Sequence, residues 1–85
     1  MTLRLLDHVV MTETEDGAVL LNERSGQYWQ LNRSGWLILQ TLLRDGTPDA
    51  AAAALVARYP VEPDQARADV EALLATLRTA RLVHR

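Results

Sequence analysis

The sequence predicts an α+β domain in which a three-stranded antiparallel sheet is followed by three helices. Three observations lead there. Two turn signals, Glu15-Asp16-Gly17 and Arg24-Ser25-Gly26, each offer a glycine able to take positive φ, and they cut the first third into short segments rich in valine, leucine and aromatics. Beyond Asn32 the apolar spacing becomes helical, and Pro48 and Pro63 stand where helices open. With 85 residues the chain has material for one domain, spanning 1–85, so sheet and helices must share a single core.

The strands are expected near 7–13, 18–23 and 27–31. In the third, Tyr28 and Gln30 fall on one face and Trp29 and Leu31 on the other, the latter pair being favoured to cover the helices. A first helix over 33–45 follows from a cap at Asn32 or Ser34, a stripe of Trp36, Leu39 and Leu43, and Gly46 just past its end. Thr47-Pro48-Asp49 reads as cap, first and second position of a helix over 48–59, which stops before Pro60. Pro63 opens the longest helix, 63–81, whose apolar stripe is Ala66, Val70, Leu73, Leu74 and Leu77. Helices two and three, joined by Pro60-Val61-Glu62, resemble a helix-turn-helix pair, and the strands then form a wing. The predicted architecture is winged helix-turn-helix-like.

Composition removes several function classes. The longest apolar run, Ala50 to Ala57, is far short of the roughly 18 residues of a membrane span, and Arg4 and Asp7 interrupt the start as a signal peptide would not. A cytoplasmic protein with no membrane partner is expected. Without cysteine there is neither a disulfide nor a thiolate metal site. The net charge is −2, and the nine basic residues, all arginine, are scattered from Arg4 to Arg85, which is no nucleic-acid footprint.

Catalytic machinery is equally hard to assemble. His8 and His84 lie near opposite ends without a partner at metal-ligand spacing, so neither metal nor cofactor is expected. Glu13, Glu15 and Asp16 surround a turn, where carboxylates are ordinarily solvated, and Ser25 and Ser34 occupy turn or cap positions without a base. No phosphate-cradling glycine loop occurs. The helix-turn-helix appearance keeps a DNA-binding regulator as the competing reading, against which Asp64, Asp69 and Glu71 on the third helix outnumber Arg67 and Arg78. No enzyme is expected.

The third strand is what remains. As a sheet edge, Gln27-Tyr28-Trp29-Gln30-Leu31 has no proline, lysine or charge to blunt it, and such an edge accepts an extended peptide through backbone bonds. Patterning leaves open a second reading in which Tyr28 and Trp29 finish the core.

The segment Leu20-Leu21-Asn22-Glu23-Arg24-Ser25-Gly26-Gln27-Tyr28-Trp29-Gln30-Leu31-Asn32 resembles the Leu-Leu-x-x-x-x-Gly-x-Tyr-aromatic-x-Leu-Asn stretch of PqqD-like proteins, the recognition elements of ribosomally made and modified peptides. Gly35, Trp36 and Leu39, the Asp69-Val70-Glu71-Ala72-Leu73-Leu74 stretch and Leu82-Val83 extend the similarity over nearly the whole chain. The resemblance implies a domain that binds the leader of a precursor peptide as an added strand. It places Gln27, Tyr28, Trp29, Gln30 and Leu31 along one wall of the site and Arg67, Val70, Glu71 and Leu74 along the other.

Such proteins serve lasso-peptide, pyrroloquinoline quinone and radical-SAM pathways. The short flanks favour a stand-alone subunit of a lasso-peptide system, delivering the leader to a separate cysteine-protease leader peptidase with a cyclase downstream. A peptide chaperone for a radical-SAM enzyme is the alternative within the family.

Overall fold

The computed structural model describes residues 3–84. In chain order the elements are β1 (Arg4–Leu5), β2 (Val9–Thr14), β3 (Gly17–Asn22), β4 (Tyr28–Leu31), α1 (Arg33–Asp45), α2 (Pro48–Arg58), α3 (Pro63–Thr79) and β5 (Val83–His84). Strands β2, β3 and β4 form an antiparallel meander in that order, which leaves β4 at an edge. Alternation sends Ala18 and Leu20 of β3 into the interior, where they meet Ile38, Leu39 and Leu42 of α1. Leu55 of α2 and Ala66, Val70, Leu74 and Leu77 of α3 complete the layer beneath the sheet. Each large side chain buried there contributes roughly 1.5–3 kcal/mol by leaving water.

Local chemistry sets the boundaries. The Asn32 side chain accepts the Gly35 N–H at 2.8 Å, so Asn32, not Ser34, caps α1, and Gly46 ends that helix at φ 76°. Thr47 caps α2 by accepting the Ala50 N–H at 3.2 Å, with Pro48 directly after it. The β3–β4 turn is closed by the Gly26 N–H donating to the Asn22 carbonyl at 2.8 Å, while the buried Asn22 side chain accepts the N–H groups of Arg24 and Ser25. Those bonds satisfy a polar side chain that would otherwise be costly to bury.

Gly17 begins β3 at φ 150°, and a methyl group there would run into the Leu31 carbonyl on β4. Backbone cannot yield as a flexible side chain would. Gly17→Ala is expected to lower stability by about 3 kcal/mol, combining strained φ with a steric clash. Urea denaturation of the two proteins measures it.

Several boundaries differ from expectation. The first strand of the meander covers 9–14 and not 7–13, because Asp7 and His8 form a turn closed by the Val9 N–H on the Leu6 carbonyl at 3.0 Å. The second occupies 17–22 and the third 28–31, each displaced slightly from 18–23 and 27–31. Helix α2 ends at Arg58, one residue early.

Helix α3 ends at Thr79 instead of 81 because Arg81 takes φ 58°. There the Leu82 N–H returns to the Leu77 carbonyl and the Arg81 N–H to that of Arg78, both at 3.0 Å. This is a Schellman termination with arginine where glycine is usual. It turns the chain back so that β5 pairs with β1, Arg4 opposite His84 and Leu5 opposite Val83. That two-stranded ribbon was not anticipated, and it seals the buried Leu3, Leu82 and Val83.

Candidate functional site

Alternation on β4 determines which backbone groups are free. The Asn22 N–H donates to the Gln27 carbonyl at 2.9 Å, and the register continues through Leu21↔Tyr28, Leu20↔Trp29, Val19↔Gln30 and Ala18↔Leu31. Bonded and non-bonded pairs alternate in an antiparallel ladder, so Trp29 and Leu31 bond inward to β3. Tyr28 and Gln30 therefore direct N–H and C=O away from the sheet. These are the groups an added strand would use.

The side chains divide the same way. Trp29 and Leu31 are partly buried against the core, whereas Tyr28 is 65% exposed and Gln30 is exposed. Gln27 sits exposed where the turn enters β4. Of the aromatic pair, Trp29 belongs to the core and Tyr28 to the surface.

Beside the edge lies a concavity of about 860 Å³. Gln30 and Leu31 line one side, Asp69 and Leu73 of α3 line the other, and the buried Ile38 and Leu55 close its floor. A second hollow of about 480 Å³ shares Asn32, Leu55 and Asp69 and carries the groove on to Tyr59 and Val61. The groove is apolar at depth and charged at its lip, where Asp16, Asp69 and Arg33 stand. The Gln65 amide donates to the Asp69 carboxylate at 2.9 Å and holds it on the helix surface.

The residues inferred from sequence for the helical wall lie in two places. Val70 is 0% and Leu74 2% exposed, so these side chains lie in the core. Arg67 and Glu71 are exposed but stand on the flank of α3 that faces α2, where Arg67 pairs with Asp49 and, at 3.7 Å, with Glu71. On a helix of 3.6 residues per turn they are a third of a revolution or more from Asp69 and Leu73. The groove wall is the 69/73 flank. Leu73 belongs to the apolar stripe but lies at its margin, partly buried. That margin, four residues from a polar Asp69, is the signal that distinguishes a groove leucine from a core leucine.

Residues 17–83 match the family described as coenzyme PQQ synthesis protein D (PqqD). The chain belongs to the PqqD family. Among solved structures, this PqqD-family chain is similar to a lasso peptide synthetase B1 complexed with the leader peptide, at 36% identity and a TM-score of 0.90 over 100% of both chains. It is also similar to TbiB1 in complex with the TbiA(beta) leader peptide, at 27% identity and a TM-score of 0.84 over 95% of this chain and 94% of that one. No curated protein matches the chain. Among the described residues no group of three or more His, Asp or Glu could hold a metal ion, and no helix is long and apolar enough to cross a membrane.

Proposed function

We propose that this PqqD-family domain binds the leader segment of a ribosomally synthesised precursor, in lasso-peptide biosynthesis, by adding it as a strand to β4. The observation that carries the reading is the open β4 edge, whose outward Tyr28 and Gln30 backbone groups lie alongside the groove walled by Asp69 and Leu73. The full-length similarity to a lasso peptide synthetase B1 complexed with a leader peptide supports it. Backbone bonds give affinity to any extended segment, and the apolar floor selects leader side chains that point inward. A leader disordered when free pays ordering entropy on binding, so a few buried anchors must offset it.

The domain itself does no chemistry in this reading. It delivers the bound leader to a separate cysteine-protease leader peptidase, with a cyclase acting downstream, and works by raising the local concentration of substrate at the enzyme. The core peptide stays unheld and free to vary.

The test is to titrate synthetic lasso-precursor leaders into the isotope-labelled domain and follow backbone amide shifts. Perturbation at Tyr28, Gln30, Asp69 and Leu73 is the expected result. Shifts confined to β2 and β3, or a salt-resistant complex with duplex DNA in place of peptide, would overturn the proposal. Arg67→Ala is expected to leave leader affinity within about twofold and stability within about 1 kcal/mol, since its exposed ion pairs are weak and face α2. Isothermal titration and thermal melting read the two quantities.

A further inference from the structure

A separate concavity, of about 810 Å³, lies away from the β4 groove, where the β1–β5 ribbon meets the β3–β4 turn. Its lining gathers Arg4, Arg24, Arg81, His8 and His84, with Asp7 as the single carboxylate among the described lining residues. Arg4 and His84 are register partners across the ribbon, Arg24 comes from the turn and Arg81 from the end of α3. Three separated stretches of sequence, 4–8, 22–24 and 81–84, therefore converge to make one basic hollow. The chain as a whole carries a net charge of −2.

Neither ion pair nor side-chain hydrogen bond occupies the three guanidiniums among the described residues. Arg67, by contrast, is paired twice. Arg81 adds an independent sign. It holds φ 58°, a conformation in which a side chain is unfavourable and glycine would cost least. An arginine kept in such a conformation puts a long cation where the Schellman turn itself needs none, and unfavourable backbone retained in this way marks functional positions.

We propose that this hollow is a second docking site, which receives an acidic segment of a partner polypeptide while the β4 groove is occupied. Arginine forks match carboxylates in bidentate geometry, and the partly buried Leu5 and Leu6 in the lining favour an apolar residue between the acids. A nucleic acid fits less well. A phosphodiester strand long enough to gain affinity would extend past this small hollow onto a chain of net negative charge.

The probe is acetylated hexaglutamate amide, titrated into the labelled full chain, with hexalysine and a short single-stranded oligonucleotide in parallel. Hexaglutamate is expected to shift the amides of Leu6, His8, Arg24, Arg81 and His84, and to lose about tenfold in affinity between about 50 and about 300 mM salt. Arg81→Gly separates the alternatives. It is expected to raise the melting temperature while weakening hexaglutamate about fivefold, a combination that a purely structural arginine would not give. Arg24→Ala, exposed in its turn, is expected to show the same weakening with melting unchanged and carries the test if the first variant folds poorly. Leader binding, followed separately, stays intact in both variants, so failure here is distinct from failure at β4. Unchanged hexaglutamate affinity in both variants, absence of shifts at millimolar peptide, or tighter binding of the oligonucleotide through these residues overturns the proposal.

Discussion

Gln30→Pro is expected to abolish leader binding with the fold retained, whereas Trp29→Pro one residue earlier is expected to unfold the domain. The difference lies only in which way the N–H points. At Gln30 it faces outward, so proline removes a group that β3 never uses and sets a ring methylene in the path of an incoming strand. Edge strands tolerate this. At Trp29 the lost N–H belongs to the ladder with Leu20, and the same change discards a large ring packed on the core. Tyr28→Pro is expected to behave as Gln30→Pro does. Circular dichroism establishes which variants fold, and calorimetric titration of those that do gives the loss, expected to exceed about a hundredfold, the equivalent of about 3 kcal/mol. A folded Gln30→Pro protein with unaltered affinity would remove strand addition from the account.

The second large effect contrasts neighbours on α3. Val70→Asp is expected to cost about 4 kcal/mol or more, because it places a carboxylate without partners in a site that is 0% exposed. A domain of this size has on the order of 5–10 kcal/mol of stability, so the variant lies near the unfolding threshold. Leu73→Asp carries the same chemistry to a partly buried groove position and is expected to cost about 1–2 kcal/mol while reducing leader affinity more than tenfold. Denaturant titration and binding of the same preparations distinguish the two roles. If Leu73→Asp keeps full affinity, the groove beside β4 is not where leader side chains lie.

Much of the fold was legible because it is specified locally. Asn32, Thr47-Pro48, Gly46 and the two turn glycines act within a few residues of themselves, and the order of three strands before three helices follows from them. The ribbon of β1 and β5 could not be read that way. Each strand has two residues, too few to show a period, and the pairing joins opposite ends of the chain. Helix α3 extended too far in the sequence reading because arginine carries no stop signal, and only the turn toward β5 accounts for its positive φ.

The open strand edge was legible and its parity was not. Gln27 to Leu31 announced an unblunted strand, but whether Tyr28 or Trp29 faces outward depends on a bond made by Asn22 across the turn. On α3, Asp69 and Leu73 line the groove while Arg67 and Glu71 stand on another flank. An apolar stripe gives the direction of the core, and Val70, Leu73 and Leu74 all belong to it. Which margin of the stripe meets β4 and which meets α2 is decided by the packing of three elements together, a relation no single helix encodes.

The pairing of Arg4 with His84 also means that the chain enters and leaves the domain through one doorway. Antiparallel partners of this kind stand about 5 Å apart at their Cα atoms, a gap that a linker of a few residues can bridge. A domain so arranged can be spliced into a surface loop of a larger protein without being stretched. Such an insertion leaves β4 and its groove untouched, so the open edge can travel between chain architectures as a cassette.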